Sequence, residues 1–276
     1  MEKIKVMVNG MPGNMAVGVA AHVLADERFD LVPYSLTGPG IDLSTCMVDG
    51  VEVALIHPEE RDDTIRKVIS KTGSFITVDY THPTAVNANA DLYCTLGLPF
   101  VMGTTGGERS RLMAAAETSG NPAIIAPNMS KQIVGLQAML SHGAENFPGL
   151  FAGYTLEVRE SHQKGKADTS GTAKAIVGYF NTMGTPFTEE EIQMERDPEK
   201  QKTEWRIPEA HLSGHAWHTY TLRSEDGTAL FSFTHNVNGR EVYQKGTLDA
   251  VAFLSKKIAD GAGARVYSMI DVLKGI

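Results

Sequence analysis

Short, continuous apolar runs separated by amphipathic stretches fill the first half of the chain. Runs of that kind are buried on both faces, as in a parallel sheet with helices on either side. They predict strands over Ile4–Val8, Leu31–Ser35, Val53–Ile56, Phe75–Asp79, Phe100–Met102 and Ala123–Ala126. Between them, Asn14–Ala25, Glu60–Ser70, Thr84–Leu96 and Glu108–Ser119 read as helices, and Lys131–Asn146 carries helical spacing up to Phe147-Pro148-Gly149. The first half is therefore expected to be a doubly wound α/β domain.

Beyond Gly149 the pattern lengthens and alternates, giving strands over Tyr154–Glu160, Ala216–Arg223 and Ala229–Asn236, a helix after Ser170, and a charged excursion, TEEEIQMERDPEKQKTEW. That change marks an α+β domain with a largely antiparallel sheet. The last apolar stretch, Thr247–Ile258, is helical and is expected to return to the first domain. The expected boundaries are 1–128 with 241–276 for the first domain and 129–240 for the second.

With 276 residues, 42% of them hydrophobic, the chain can bury a large core. A net charge of −8 argues against a nucleic-acid surface, which needs a dominant basic patch. No apolar run approaches the length of a membrane span. Met1 leads directly into EKIKVMVNG, without the basic and long apolar regions of a signal peptide. Cys46 and Cys94 stand far apart, suggesting neither a disulfide framework nor a zinc ribbon. The expected location is the cytoplasm, or the plastid stroma if a transit peptide is removed. His211, His215, His218 and His235 form no closed ligand set in sequence, and no metal is expected. Trp205 and Trp217 read as packing or interface residues.

The first strand ends in NGMPGNM. Glycine at such a turn lets the backbone approach a pyrophosphate, whose charge the following helix N-terminus favours. Gly10, Pro12, Gly13, Asn14 and Met15 are the expected contacts, although Pro12 stands where the G-x-G-x-x-G pattern has its middle glycine. Tyr34–Thr37 lacks the carboxylate that selects NAD, so NADPH is expected to be preferred or comparable to NADH, with Ser35 and Thr37 bonding the ribose phosphate. Three further strand ends, VDYTHP, MGTTGG and APNMSKQ, offer Asp79, Tyr80 and Thr81, then Gly103, Thr104 and Thr105, then Pro127, Asn128 and Met129 to the same cofactor. Ligands of open α/β sheets lie at those strand ends.

Chemistry concentrates in ESHQKGKADTSGTA, residues 160–173. Lys164 and Lys166 supply positive charge, Ser170–Thr172 supply hydroxyls and the free N–H groups of a helix start, and His162 titrates near neutrality in ordinary surroundings. A small dicarboxylate suits such a loop. The plainer reading is a solvated loop in which Ser170 caps the next helix.

VNGMPGNM, VDYTHPTAVNANADLY, LPFVMGTTGG, ESHQKGKADTSGTAKA, SGHAWH and HNVNGR together resemble the 4-hydroxy-tetrahydrodipicolinate reductases, closest to their plant branch, over nearly the whole chain. The resemblance implies a Rossmann-like cofactor domain, a second domain that binds substrate and mediates oligomerisation, and NAD(P)H-dependent reduction of a cyclic C7 dicarboxylate on the route to lysine. By motif it implies His162 and Lys166 as catalytic residues and Ser170, Gly171 and Thr172 as the carboxylate turn. Gln163 stands where the bacterial loop has a second histidine, as a further substrate contact. Arg240 is expected near the hinge or the cofactor crevice, and the chain as a homodimer or homotetramer. The alternatives are another Rossmann-type reductase of a small carboxylate and a non-catalytic nucleotide-binding regulator.

Overall fold

IKVMVN forms β1 (Ile4–Asn9), whose Val6, Met7 and Val8 are fully buried. The computed structural model describes residues 2–261 and 263–276. The chain divides into two compact units, Met1–Lys131 with Glu241–Ile276, and Gln132–Arg240.

In the first unit β1 is followed by α1 (Asn14–Ala25), β2 (Phe29–Leu31), β3 (Tyr34–Leu36), β4 (Thr45–Val48), β5 (Val51–Ile56) and α2 (Arg61–Thr72). Then come β6 (Ile76–Asp79), α3 (Val86–Thr95), β7 (Phe100–Met102), α4 (Arg109–Thr118) and β8 (Ala123–Ile125). Six parallel-paired strands build the main sheet, in the order β13-β8-β7-β6-β1-β2, with β13 (Val266–Tyr267) from the C-terminal end of the chain. Ile65 and Val68 of α2, Val86, Ala90 and Tyr93 of α3, and Leu112 and Ala116 of α4 pack into one apolar core with Met7, Phe100 and Met102. The helix α8 (Glu241–Ala259) packs instead against α1, and α9 (Met269–Lys274) closes the chain. The expected doubly wound sheet is present.

The expected strand Leu31–Ser35 is in fact two. Val32 N still donates to the Val6 carbonyl (2.8 Å), but the next donor in register, Tyr34 N, turns back at Pro33 onto the Val32 carbonyl (2.7 Å), and β3 leaves to form a three-stranded sheet, β3-β5-β4. The Asn9 side chain bridges the gap, its carbonyl oxygen accepting from Leu36 N at 2.9 Å. β4 and β5 form a hairpin at Asp49-Gly50, both with positive φ, which the apolar runs alone did not reveal. The expected helix at Thr84 opens instead with a 3₁₀ turn, Pro83–Ala85.

The second unit begins with α5 (Lys131–Asn146) and β9 (Tyr154–His162), followed by α6 (Gly171–Thr182), β10 (Gln193–Glu195) and α7 (Pro198–Thr203). β11 (His215–Ser224) and β12 (Leu230–Asn238) complete a four-stranded sheet, β10-β9-β11-β12, antiparallel except at β10-β9. Ala173, Ile176, Val177 and Phe180 of α6 cover one face, meeting Val158, Tyr220 and Leu222. The apolar face is thus satisfied within the unit. The opposite face carries Glu157, Arg159, Trp217, Thr219, Thr221 and Asn236, and Arg159 stacks on Trp205 at 4.8 Å. The second face of the sheet is thus polar. The exposed large apolar side chains of β12 are Leu230 and Phe231. No helix among the described residues is long and apolar enough to cross a membrane.

Candidate active site

The strand order reverses between β1 and β6, so their carboxyl ends frame the usual ligand crevice of an open α/β sheet. Gly10 turns there with φ +111°, and a Cβ on it would stand 2.2 Å from the Tyr80 carbonyl oxygen. A Cβ on Gly13 would meet the Gly10 carbonyl oxygen at 2.7 Å. Both glycines are required by backbone approach. Gly13 is the N-cap of α1 and contributes no side chain, so the first-turn N–H groups of Asn14, Met15 and Ala16 remain available to an anion, while Pro12 has none to offer. The residues present fit a pyrophosphate.

Ser35 and Thr37 are placed differently from the expectation. Ser35 Oγ accepts from Met11 N (3.2 Å), and Thr37 Oγ1 donates to the Met11 carbonyl (2.8 Å); both residues are buried. Their hydroxyls brace the glycine turn and are not free for a ribose phosphate. Asp79 is likewise turned inward. Its buried carboxylate accepts from Thr81 N, Thr81 Oγ1, Thr104 Oγ1, Asn89 Nδ2 and Tyr93 OH, at 2.7–3.0 Å. Burial, and then the neighbouring Asp79 carboxylate, push the Tyr93 hydroxyl far above its ordinary pKa, which keeps it a donor. Tyr80 lies against Gly103 and its hydroxyl meets Thr247 of α8 at 2.5 Å; burial raises it to about 12. Asn128 closes a turn onto Ser130 N (2.9 Å), and the Met129 carbonyl contacts α8 at Gly246. Thr104, Thr105 and Pro127, with Arg109, line a cavity of about 210 Å³ at the ends of β7 and β8. Asp79, Tyr80, Thr81 and Thr104 thus build the strand-end platform with their side chains, and what they can offer a cofactor is backbone and shape.

In the second unit the loop 160–173 is organised by a residue that sequence reading left without a role. Glu160, 0% exposed near the end of β9, holds Arg196 through Oε1 and accepts the Ser170 N–H at 3.0 Å through Oε2. Arg196 also donates to the carbonyls of Lys166 (2.9 Å) and Asp168 (3.4 Å). One ion pair therefore fixes both ends of the loop. Burial alone would raise Glu160, but His218, Arg196 and the Ser170 N–H outweigh it and hold the carboxyl at about 2. Ser170 is the N-cap of α6, yet its side chain makes no capping bond. The plain capping role is thus not what its hydroxyl does, and the first N–H groups of α6, from Gly171 and Thr172 onward, are free for a carboxylate. Lys166 is half-buried, its N–H closing a turn on the Gln163 carbonyl at 3.0 Å, while Lys164 is exposed.

His162 is buried, its Nδ1 3.2 Å from the His215 carbonyl and its Nε2 3.3 Å from Nε2 of His218. Burial, then the charge on His218, with further contributions from Arg196 and Lys166, depress its pKa to about 3 against an opposing pull from Glu160. The expectation of titration near neutrality fails for this reason: in the free chain the ring is neutral at pH 7. Glu160, His162 and His218 place one donor atom each within 4.8 Å of one another. Of His211, His215, His218 and His235 only His218 joins this group, and both Glu160 oxygens are already engaged by Arg196 and Ser170.

Arg196 and Gln201 come from the charged excursion, to which no role was assigned from sequence. Gln201, fully buried in α7, donates to the His162 carbonyl at 2.7 Å and fixes the strand end that carries the histidine. The signal was there in DPEKQ: Asp197 caps a helix whose first residue is Pro198, so a helix was to be expected at that point. Arg240 follows the turn at Gly239, its guanidinium over Gly214 within the second unit.

Two family descriptions cover the chain in order, "Dihydrodipicolinate reductase, N-terminus" over residues 4–129 and "Dihydrodipicolinate reductase, C-terminus" over 133–273. The "4-hydroxy-tetrahydrodipicolinate reductase 1, chloroplastic" of Arabidopsis thaliana is 47% identical over 272 residues, covering 98% of this chain and 78% of the relative. A "Probable 4-hydroxy-tetrahydrodipicolinate reductase 2, chloroplastic" of rice, Oryza sativa subsp. japonica, is 45% identical over 98% of this chain and 82% of its own length. The dipicolinate-bound dihydrodipicolinate reductase from Paenisporosarcina sp. TG-14 superposes with a TM-score of 0.65 over 97% of this chain and 98% of its own; at 18% identity this speaks for the fold. With both halves matched in order and nearly half of its residues shared with plant relatives along almost its whole length, the chain belongs to the dihydrodipicolinate reductase family.

Proposed function

We propose that this protein reduces 4-hydroxy-tetrahydrodipicolinate to tetrahydrodipicolinate with NAD(P)H, in the diaminopimelate route to lysine. The observation that carries the reading is the loop fixed by Glu160 and Arg196, which sets a lysine and a free helix N-terminus beside a buried histidine. A dianion needs the first two, and protonation at carbon needs a third group able to give up a proton. When bound, the coenzyme would supply the hydride, and the 4-hydroxyl group of the substrate leaves as water, so that hydride, proton and water balance the reduction.

In this reading Ser170, Gly171 and Thr172 hold one substrate carboxylate through N–H and hydroxyl groups. Lys166 offsets the charge of the dianion and orients it, and Gln163 adds an amide contact. His162 donates the proton. Its low pKa in the free chain suits this role once the substrate is present, because two carboxylates close by favour the imidazolium. Arg240 offers a further fixed cation. Gly10, Gly13, Asn14 and Met15 hold the pyrophosphate, and the turns at 79–81, 103–105 and 127–129 shape the rest of the coenzyme site. The presence of both His162 and Lys166 weighs against a non-catalytic regulator, and the Ser-Gly-Thr turn against a different reductase of this fold.

NADPH is proposed as the preferred or equally used coenzyme, supported by the lack of any carboxylate in Tyr34–Gly40. A homodimer is proposed first and a homotetramer second. The support is β12, a nine-residue edge strand whose unpaired backbone and exposed Leu230 and Phe231 are a liability unless covered. The plastid stroma is the proposed location, in keeping with the names of the plant relatives, with the cytoplasm as the alternative.

Following NADPH oxidation, with substrate made in place by a dihydrodipicolinate synthase, is expected to show turnover. His162→Ala and Lys166→Ala should each lower kcat on the order of 10²–10⁴-fold, with coenzyme affinity unchanged. Thr172→Val should chiefly raise KM, because its hydrogen bond to a carboxylate persists through the reaction. Wild-type turnover in both the His162 and Lys166 variants would remove the proposal.

The same assay run with both coenzymes should find NADPH at least as effective as NADH. A strong NADH preference contradicts that part.

Sedimentation equilibrium should give twice the mass of the chain, or four times. A single monomeric species across micromolar concentrations rules out the assembly.

A further inference from the structure

His218 lies on β11, far in sequence from the loop, and its ring meets His162 edge-on with centroids 5.0 Å apart. Their Nε2 atoms face each other at 3.3 Å. His162 Nδ1 lies 3.2 Å from the His215 carbonyl, an acceptor that requires a proton on Nδ1, so Nε2 is the nitrogen that exchanges its proton. Glu160 Oε2 is 3.6 Å from His218 Nε2 and 3.9 Å from His162 Nε2, close to both. His218 Nδ1 is buried without a partner, and on its far side His235 stacks at 4.5 Å with both ring nitrogens also buried and unpartnered. Among the described residues the neighbouring Tyr220 hydroxyl is buried without a partner as well, and so many unpaired polar atoms around two stacked rings are costly as packing alone.

We propose that the proton donor of this site is the His162–His218 pair, with His218 the positioning residue that shares the transferred proton across the Nε2–Nε2 contact and sets its readiness to leave. The proposal rests on reading His162 as the donor to substrate. Before the step the two rings hold three protons, one on each Nδ1 and one between the two Nε2 atoms. The His162 Nε2–H bond breaks as a C–H bond forms at the substrate carbon, and the N–H electron pair returns to Nε2 as a lone pair. The pair is left with two protons, and one proton from solvent restores the third. No oxidant or further reactant is involved.

The groups facing the pair are Glu160 from β9, His215 and Tyr220 from β11, His235 from β12, Arg196 beyond β10 and Lys166 of the loop. Burial and the surrounding positive charge keep a second proton off His162, down to about pH 3. Glu160, ionised down to about pH 2, balances the charge of the proton that the pair shares. The sign for a variant follows. Repulsion by His218 acts on His162 only when both rings carry an added proton; for a single shared proton, removing the His218 lone pair takes away its hydrogen-bond acceptor, and the proton is released at lower pH.

His218→Leu is expected to lower kcat at pH 7 by about tenfold or more, leave both KM values within about twofold, and move the alkaline limb of the kcat–pH profile to lower pH. His218→Gln keeps an acceptor for His162 Nε2–H but cannot hold the proton. It should recover part of kcat, and its rate in mixed H₂O and D₂O should vary linearly with deuterium fraction where the wild type curves. Tryptophan fluorescence checks folding, since Trp205 and Trp217 both lie in this unit. If the leucine variant does not fold, the glutamine variant carries the test. An unmoved pH limb in the folded variants, with or without a fall in kcat, overturns the proposal and leaves His218 a packing residue. Wild-type turnover in His162→Ala would instead overturn the reading on which it rests.

Discussion

A carboxylate with no exposure to water, held ionised, is the constraint on which the second unit depends. Burying the Glu160 charge costs several kcal/mol unless it is paired and hydrogen-bonded. Its partners are the Arg196 guanidinium, the first N–H before α6 and the edges of two imidazoles. Each partner is thereby fixed in place. Arg196 in turn grips the carbonyls of Lys166 and Asp168, so the loop that would bind a dianion takes its shape from a negative charge beneath it. The same carboxylate offsets the positive charge concentrated there and opposes the depression of the His162 pKa.

The first unit solves a related problem with neutral groups. Asp79, also 0% exposed, gathers donors from its own turn, from Thr104 after β7, and from Asn89 and Tyr93 of α3, and so locks two adjacent strand ends to a helix. Among the described residues no cation pairs with it; Arg61 bonds the carbonyl oxygen of Asn89 instead, at 3.2 Å. Neutral partners suffice for a rigid platform, whereas the guanidinium at Glu160 brings a charge that also acts on the histidines. The difference follows what each place does. In the proposed function, the first unit gives a coenzyme a fixed backbone surface and the second holds the proton donor.

The parts of this arrangement legible in the sequence were those with local signatures. The strand-turn-helix at Gly10–Asn14, the parallel sheet and the Ser170–Thr172 helix start each lie in a few consecutive residues. The break at Pro33 and the Asp49-Gly50 hairpin were also locally encoded, but the continuous run LVPYSL and the alternation in TCMVDGVEVAL were read without their punctuation. Ser35, Thr37 and Asp79 were recognised as polar strand-end residues, and only burial decided that they face inward. Glu160, Arg196, Gln201 and His218 were out of reach for another reason. They come from β9, the excursion and β11, and nothing in the spacing of those segments says that the sheet brings them together.

Glu160→Gln, with its affinity for dipicolinate measured by calorimetry against the wild type, tests the central claim most directly, since it keeps the shape of the side chain and removes its charge. The account predicts a loss of at least about tenfold in dipicolinate affinity, because the loop loses its anchor and Arg196 is left without a counter-charge. NADPH affinity should be unchanged. Wild-type dipicolinate binding by a folded Glu160→Gln protein would contradict the claim that this buried carboxylate builds the site.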